Sequence, residues 1–454
     1  MELLFSLAKT CQGDRPAGWV GQITSNSFMK REFGVSVIEK FLPGKDLVEI
    51  IDSEGAWIPG HNMDGTPTSI IVGRQQAPVS PVIRTVLSEG LRESRPVGVG
   101  AGPYWRSIVE HILEPGYDDP WISVVDLGRD FFARHPWTLS GGGALEVIEK
   151  IERSSARLSD LASSVGITSF TLEDDVYVRD RESFATRRVP SQYLRPMVLG
   201  DGVRDWSLTE YPMTIFPYDD DFRPISVSRS SELMRCMWPW RVNLAKSVMF
   251  NGSTKVASGL LWTEFGRLTV PKLRVPRSIV FAEVATHNHF VIDDGGKVFK
   301  QTAPVIKLDK SATGETHSRV AGVLNSSVAC FWLKQMCKPK GGAADVAWLR
   351  TYQFNGTTVK DLPLPRSMPV EPAKVLDRLA RELSTISVSL MLDSGIVSAE
   401  RLRVAEAEQL SIRRRMIAQQ EELDWTVYRS YGLIENELVY PGEPPEVSLG
   451  ERAF

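Results

Sequence analysis

Three short apolar runs near the start of the chain constrain its fold most. They are residues 17–24, 47–52 and 68–73. A helical pattern from Phe28 to Phe41, interrupted near Gly34, separates the first run from the second. An order of strand, helix, strand and strand is typical of the edge half of a doubly wound sheet. Three strands are too few for a complete nucleotide-binding domain, so the pattern predicts a partial sheet within residues 1–75.

The rest of the chain divides by its sequence pattern into three further segments. We predict a connecting region over 76–159, a β-rich domain over 160–370 and a helical region over 371–454. Within the β-rich domain, the turn residues 293–296 between two apolar runs predict a hairpin. The expected fold class is therefore α/β plus α+β, with a partial doubly wound sheet, a β-rich domain and a C-terminal helical segment.

Charge and cysteine content exclude several classes of protein. The chain carries 53 Lys and Arg residues against 56 Asp and Glu, a net charge of −3, which argues against a histone-like polyanion binder but not against a local basic groove. Four scattered cysteines without a C-x-x-C pair form neither a disulfide framework nor a zinc ribbon. No run reaches the roughly 18 apolar residues of a membrane-spanning helix. We therefore expect a cytoplasmic protein without a membrane partner.

Two small motifs could carry chemistry, and each has a plainer interpretation. His287 and His289 could begin a metal site, but no nearby Asp, Glu or Cys pattern completes one, and polar or nucleic-acid contacts are the alternatives. We expect no metal. Trp57 lies in a loop between two strand runs. An aromatic residue there can stack on a base that has left the duplex, or it can plug the end of the sheet.

Basic residues occur in two further places of interest. Arg235 and Arg241 alternate with tryptophans, a mixture that stacks bases and contacts phosphates but also suits a core with a basic rim. Lys334, Lys338 and Lys340 precede two glycines. They form either a phosphate-binding loop or a solvated one.

Several segments resemble a known family, in the order that the family has them. They include GWVGQITSNSFMKREFG, LVEIIDSEGAWIPGH, GTPTSIIVGR, HPWTLSGGGA, LRPMVLGDGVRDW, VATHNHFVIDDGGKVFKQTAPVIKL and LNSSVACFWLKQMCKPKGG. These segments resemble DNA adenine methyltransferases of the gamma type (Eco57I- and TaqI-like). More closely, they resemble the C-terminal part of the PglX-like methyltransferases of type 2 BREX phage-defence systems.

The resemblance implies transfer of a methyl group from S-adenosylmethionine to the exocyclic amine of adenine. The family carries this chemistry on a glycine-containing cofactor loop and on an Asn-Pro-Pro-aromatic tetrapeptide. Neither is found in this sequence, and Asn-Pro-Pro and Asp-Pro-Pro are both absent. We therefore expect no catalytic residue in this chain, an incomplete cofactor pocket, and only the late strands of the catalytic domain in residues 1–75.

The resemblance also assigns roles to the candidate residues. Trp57, with Ile58 as the alternative, matches the position that supplies an aromatic to the extruded adenine. Residues 160–370 match the target-recognition domain, which reads base edges in the major groove. The candidates for contact with double-stranded DNA are Arg195, Arg204, Arg235, Arg241, His287, Asn288, His289, Lys334, Lys338 and Lys340.

Three hypotheses follow from the sequence. The chain is the DNA-recognition part of an adenine methyltransferase, inactive alone and acting with a separate N-terminal half that binds the cofactor. Alternatively, it is a non-catalytic DNA-binding or assembly subunit that associates with other defence-system subunits. The third hypothesis is a truncated, inactive remnant.

Overall fold

The chain forms two compact units. The computed structural model describes residues 1–13, 15–57, 67–90, 93, 102–209, 211–225, 232–341, 349–393 and 395–451. Unit 1 comprises Met1–Glu152 and Lys334–Gln353. Unit 2 comprises Arg153–Leu333 and Phe354–Phe454. The architecture is mixed α/β, as the sequence predicts at that level.

The described residues contain the following helices and strands. The α-helices are α1 Glu2–Leu7, α2 Ser27–Lys30, α3 Pro103–His111, α4 Arg129–Phe132, α5 Ala144–Glu152, α6 Leu158–Leu161, α7 Asp174–Tyr177, α8 Arg181–Thr186, α9 Glu232–Met237, α10 Arg241–Lys246, α11 Val270–Leu273, α12 Gly314–Leu324, α13 Ser327–Met336, α14 Gly356–Lys360, α15 Glu371–Thr385, α16 Val388–Asp393 and α17 Ala399–Ser430. The strands are β1 Trp19–Ser25, β2 Asp46–Asp52, β3 Thr68–Arg74, β4 Val82–Ser88, β5 Ile122–Gly128, β6 Ala156–Arg157, β7 Ala162–Gly166, β8 Ser169–Phe170, β9 Val178–Arg179, β10 Leu194–Val198, β11 Val203–Arg204, β12 Ser207–Leu208, β13 Met213–Ile215, β14 Arg267–Leu268, β15 Ser278–Phe281, β16 Val284–Ala285, β17 Phe290–Asp293, β18 Val298–Phe299, β19 Val305–Leu308, β20 Tyr352–Gln353 and β21 Pro363–Leu364.

Unit 1 is built on a five-stranded sheet with the order β1-β3-β2-β4-β5. Strand β3 is antiparallel to both β1 and β2, with Gln22 and Ile50 each opposite Ile71. Strand β4 is parallel to β2, and β5 is antiparallel to β4. The three predicted strands therefore exist, and two more from the predicted connecting region extend the same sheet. Because only one of its four strand pairs is parallel, the sheet is mixed.

Alternation of side chains along the strands explains why both faces of this sheet are covered. Consecutive residues of a strand point to opposite faces. Ile50 accordingly packs with Phe28 and Trp137 in one core, whereas Ile51 packs with Ile108 of α3 in the other. Burial on both faces gives β2 its nearly continuous apolar sequence.

The predicted helix over 28–41 forms as three short pieces. It consists of α2, a 3₁₀ turn at Glu32–Gly34 and a π-helical turn at Val37–Phe41. The interruption expected near Gly34 is thus present. A side chain at Gly34 would collide with the backbone carbonyl of Phe28, so the chain turns more tightly there than a residue with a Cβ allows.

Unit 2 contains two four-stranded sheets, ordered β18-β10-β13-β9 and β17-β15-β19-β7. The predicted hairpin at residues 293–296 is wrong, because β17 and β18 belong to different sheets. Strand β17 pairs antiparallel with β15, and β18 pairs parallel with β10. The local turn is real, since the Asp293 carboxylate accepts a hydrogen bond from the Gly295 N–H at 2.9 Å. A turn alone does not decide which strand pairs with which.

The region over 371–454 that the sequence predicts as helical contains the helices α15, α16 and α17, of which α17 is the longest. Ser398 caps α17 by accepting a hydrogen bond from the Arg401 N–H at 3.2 Å. The second half of α17 contributes most of its buried residues, among them Met416, Leu423 and Val427.

Candidate DNA-binding sites

Three strands of unit 1 end at the same edge of the sheet. Strands β1 and β2 run in the same direction because both are antiparallel to β3, and β4 is parallel to β2. The segments that follow these strands are therefore neighbours. In open α/β sheets, ligands bind outside the carboxyl ends of the strands. We call this edge of unit 1 the carboxyl edge.

The turn after β2 is held by polar contacts. The Asp52 carboxylate accepts a hydrogen bond from the Glu54 N–H at 2.9 Å, and the Ser53 and Thr68 hydroxyls lie 3.0 Å apart. The Glu54 carboxylate accepts a hydrogen bond from the Asn26 side chain at 3.3 Å. Asn26 directly follows β1, so this contact ties two strand ends together.

Trp57 lies at the end of this turn and is half-buried. Its backbone N–H donates to the Glu93 carboxylate at 2.7 Å, and the same carboxylate accepts from the Tyr104 N–H in the first turn of α3 at 2.9 Å. A side chain at Gly102 would collide with this carboxylate, so the close approach requires glycine. The backbone of Trp57 is thereby fixed against α3. Ile58, the alternative candidate, lies outside the described residues.

The three predicted lysines belong to unit 1 rather than to the surrounding segment of unit 2. Residues 334–341 and 349–353 form two chain segments that pair, with the Lys340 N–H donating to Thr351 at 2.8 Å and the Gln353 N–H donating to Lys338 at 3.0 Å. We call these segments the basic arm. Lys334 lies 5.8 Å from the centre of the Tyr352 ring, and Lys340 is exposed.

The basic arm is attached to the carboxyl edge. The Arg350 guanidinium forms an ion pair with the Glu54 carboxylate. The Ser140 hydroxyl donates to the Gln335 side chain at 2.6 Å, and Ser140 bridges to Ser88 at the end of β4. Trp57 and the basic arm, which are distant in the sequence, thus belong to one structural unit, and both are attached to the same sheet edge.

Ionisable groups around Glu54 have shifted pKa values. Burial, and next the neighbouring Glu54 carboxylate, raises the pKa of Asp52 to about 8, so Asp52 is mostly protonated at neutral pH. Burial also lowers the pKa of the Lys30 ammonium, while Glu54 opposes that change. Perturbed carboxylates and amines at a strand edge are typical of functional sites.

A second group of predicted residues meets in a cleft of unit 2 with a volume of about 730 Å³. Arg204, His287, Asn288 and His289 all line this cleft. Its other walls come from α15, α17 and the turn between α12 and α13. The sequence placed these four residues in two separate segments, and the fold brings them together.

The tripeptide His287-Asn288-His289, written HNH below, lines this cleft. Most of its polar groups have internal partners. The Asn288 amide donates to the carbonyls of Leu324 and Ser326 at 2.6 and 3.2 Å. Burial lowers the pKa of His289 to about 4, against the effect of the Asp205 carboxylate. Its neutral Nδ1 accepts the Asp205 N–H at 3.4 Å. His287 is exposed, and its Nδ1 lies 2.7 Å from the Thr286 hydroxyl. It is thus the member of the tripeptide that faces solvent.

The remaining predicted arginines do not line this cleft. Arg195 donates to the carbonyls of Gln192 and Leu194 and lies 6.0 Å from the Phe216 ring. Arg241 is exposed and lies over the Trp238 ring at 4.4 Å. Arg235 is exposed on α9. Arg241 and Trp238 thus form a basic and aromatic pair outside the lining of the cleft.

Sequence reasoning missed Glu54, Glu93 and Arg350. Each is a lone charged residue whose partner is distant in the sequence, so no spacing pattern marks it. A weak signal was available for Glu54, since an acid directly after a buried strand lies at a strand end.

Two absences apply to the described part of the chain only. No cluster of three His, Cys, Asp or Glu side chains there has a geometry that would hold a metal ion. Within the same residues, every helix is too short or too polar to cross a lipid bilayer.

Comparisons with known proteins identify one close relative. No protein-family model matches the chain. The adenine-specific methyltransferase PglX of Streptomyces coelicolor is 39% identical over 99% of this chain, and the match covers 38% of PglX. The chain therefore spans well under half the length of that relative.

Solved structures resemble the fold at low sequence identity. The Type IIL restriction-modification enzyme MmeI in complex with DNA has a TM-score of 0.50 and 12% identity, covering 92% of this chain and 47% of that chain. The type IIG restriction endonuclease BpuSI, also 12% identical, has a TM-score of 0.36 and covers 92% of this chain and 48% of its own. The first likeness supports the fold, and the sequence match confirms that this chain is related to the C-terminal part of a PglX-like adenine-specific methyltransferase.

Proposed function

We propose that this chain is the DNA-recognition part of a site-specific DNA adenine methyltransferase. The proposal rests on one observation above the others: the basic arm and Trp57 belong to one structural unit, at the edge where strands β1, β2 and β4 end. The identity to PglX supports the same function. In this reading the lysines contact phosphates, and the aromatic ring stacks on the adenine that leaves the duplex.

The basic arm of unit 1 and the cleft of unit 2 have different roles in DNA recognition. Phosphate contacts fix the position of a protein on DNA, whereas contacts with base edges specify the sequence. The basic arm suits the first task, because its described residues carry only positive charges. The cleft of unit 2, with Arg204 and His287, suits the second. Arg235 and Arg241 are further phosphate contacts in this proposal.

Among the described residues of the carboxyl edge, the two carboxylates that could bind the methyl donor, S-adenosylmethionine, are already engaged. The Glu54 carboxylate is already paired with Asn26 and Arg350, and the Glu93 carboxylate is occupied by two backbone N–H groups. These groups hold the edge together and do not fit the methionine end of the cofactor. We therefore assign the cofactor to a separate N-terminal methyltransferase half and derive no chemical step from this chain.

The surface of unit 1 suits such a partner. Strand β1 lies at the end of the sheet order, and its Trp19 and Ile23 side chains are 61% and 50% exposed. Leu3 and Leu7 of α1 are exposed as well. An edge strand with exposed apolar side chains favours pairing with another chain segment. We propose that a strand of the N-terminal half extends the sheet at β1.

A two-part assay tests the proposal. The purified chain is expected to bind duplex DNA and to transfer no labelled methyl group from S-adenosylmethionine. Addition of an N-terminal half that carries the cofactor loop and the Asn-Pro-Pro-aromatic tetrapeptide is expected to produce N6-methyladenine. Methylation by the chain alone, or the absence of any DNA binding, would overturn the proposal.

A second candidate function is that of an assembly subunit in a cytoplasmic BREX phage-defence system. It is favoured by exposed apolar residues on the C-terminal helices, including Leu392 at 61% and Val404 at 62%, and by Ile396 at 98% between α16 and α17. An exposed apolar patch of this kind is typical of contacts with another protein. The two-part assay distinguishes the two candidates, because N6-methyladenine produced when the N-terminal half is added contradicts a purely non-catalytic assembly role.

A further inference from the structure

We infer that Glu54 is a positioning residue that, through Arg350, holds the basic arm against the strand end that carries Trp57. The inference rests on the proposed DNA recognition and adds a residue to it. Glu54 does not contact DNA in this account. It sets the distance between the lysines and Trp57. The lysines can therefore contact phosphates while Trp57 stacks on the extruded base.

The contacts of Glu54 include both the basic arm and the turn that carries Trp57. Its carboxylate pairs with the Arg350 guanidinium, and its backbone lies three residues before Trp57, in the turn that the Asp52 carboxylate closes. Arg350 is adjacent to Thr351, which accepts the Lys340 N–H at 2.8 Å. A short covalent and hydrogen-bonded path therefore connects Trp57 with Lys340.

The first segment of the arm has anchors of its own, among them the Thr138 hydroxyl, which lies 3.9 Å from the Met336 sulfur. There the Gln335 side chain accepts the Ser140 hydroxyl at 2.6 Å. The Glu54 ion pair anchors the second segment. Without it, the second segment loses this contact with the end of β2, and the lysines are fixed less firmly relative to that strand end. Because loosely held groups must be ordered on binding, the arm would then contribute less affinity.

The surroundings make the ion pair hard to replace. The side chains of Glu54 and Arg350 are 18% and 21% exposed, so solvent screens them only in part. Lys30 and Asp52 lie close enough to influence each other's ionisation together with this pair. Removal of Glu54 leaves Arg350 facing another cation, Lys30. Removal of either partner is therefore more disruptive than at an exposed ion pair.

The decisive variant is Glu54→Gln in the full chain. It removes a negative charge, which by simple electrostatics would strengthen binding to DNA. If Glu54 positions the arm, the same change weakens binding. We expect affinity for a mixed-sequence duplex, measured by fluorescence anisotropy, to fall about 10-fold, and the slope of log K against log salt to decrease by about 1 to 2 as phosphate contacts are lost.

The matched control is Glu382→Gln, which removes the same charge from the exposed pair of Arg378 and Glu382 on α15. Its affinity is expected to stay unchanged or to rise slightly. Hydrogen exchange provides a local measurement, because the amides of Lys340 and Gln353 should exchange faster in Glu54→Gln while those of β4 do not. Circular dichroism checks that both variants are folded.

The outcomes separate this inference from the proposed function. If the unaltered chain does not bind DNA, the proposed function fails. If it binds and Glu54→Gln binds equally well or more tightly, the positioning role fails alone. If Glu54→Gln does not fold, Arg350→Lys replaces it, since it keeps the positive charge and loses the planar guanidinium group. A salt slope of Arg350→Lys equal to that of the unaltered chain would then contradict the inference.

Discussion

The two ends of strand β2 carry buried aspartates with opposite properties. Asp46, at the amino end, accepts hydrogen bonds from Arg74, Arg129 and Gln76. Burial alone would raise its pKa, but the hydrogen bonds from Gln76 and Val79 and the charge of Arg74 outweigh burial and lower it. Asp52, at the carboxyl end, has a pKa raised to about 8.

Under the proposed function, this difference assigns stability to one end of the sheet and DNA recognition to the other. The amino end is fully paired, so its charges stabilise the unit and offer nothing to a ligand. The carboxyl end keeps a protonated carboxyl group beside the Glu54 and Arg350 ion pair and next to Trp57. Ligand sites lie at the carboxyl ends of strands in open α/β sheets, and the charge arrangement here agrees with that rule.

The largest expected effect is the loss of stability caused by a substitution at the amino end of β2. Asp46→Ala leaves Arg74 and Arg129 without their common carboxylate, and we expect unit 1 to lose about 3–5 kcal/mol of stability. Chemical denaturation monitored by circular dichroism measures the loss. The matched control is Asp126→Ala, which breaks the more exposed pair with Arg84 and should cost about 1 kcal/mol or less. Equal losses in the two variants would remove the structural role given to Asp46.

The next effect concerns DNA and the carboxyl edge. Replacement of Lys334, Lys338 and Lys340 together by alanine is expected to weaken duplex binding by about 100-fold, with a salt slope smaller by about 2 to 3. Thermal stability should change little, since Lys340 is exposed and the other two are half-buried. The measurement is anisotropy over a salt series. An unchanged salt slope would show that the arm does not contact phosphates. It would contradict the DNA-binding role proposed for the carboxyl edge.

A smaller effect tests the ionisation of Asp52. Its folded-state pKa is raised, so the folded chain binds the proton more tightly than the unfolded chain. The contribution of Asp52 to the free energy of unfolding is fully present below pH 4, and it is lost as the pH rises towards 8. Lys30, Glu54 and Arg350 face it, and Tyr104 lies nearby. We expect Asp52→Asn to stabilise unit 1 by about 1–2 kcal/mol at pH 8 and hardly at all at pH 4.

Denaturation curves of Asp52→Asn and the unaltered chain between pH 4 and pH 9 check this expectation. The opposite sign applies to Asp46, whose lowered pKa removes stability only as the solution becomes acidic. If the stabilities of Asp52→Asn and the unaltered chain depend on pH in the same way, Asp52 is ionised in the folded state.

The smallest expected effect is that of the aromatic ring. Trp57→Ala should lower affinity for a duplex that contains an unpaired 2-aminopurine by about 1 kcal/mol, the lower range of base stacking on an aromatic side chain. Affinity for a fully paired duplex should be unchanged. Trp57→Phe retains a ring and serves as the control. Equal quenching of 2-aminopurine fluorescence by all three proteins would leave Trp57 as a plug of the sheet end.

Much of the local structure followed from the sequence. Strands β1, β2 and β3 were predicted to within about two residues, because burial on both faces selects continuous apolar runs. The helices near residues 371–430 were predicted from their apolar periodicity. Trp57 was recognised because a short loop between two strands must lie at a strand end. These features depend on neighbours in the sequence, which a pattern reports directly.

The pairing of distant segments was decided by the tertiary structure. The sequence indicated a hairpin at residues 293–296, but the two strands joined different sheets, since local turn chemistry does not specify partners. It placed Lys334 and Lys340 within a predicted domain of 160–370, whereas contacts assign them to unit 1. The ion pair of Glu54 with Arg350, the sharing of Glu93 and the opposite ionisation of Asp46 and Asp52 all arise from burial beside residues that are remote along the chain. Periodicity determined the elements, and long-range packing alone determined which charges meet.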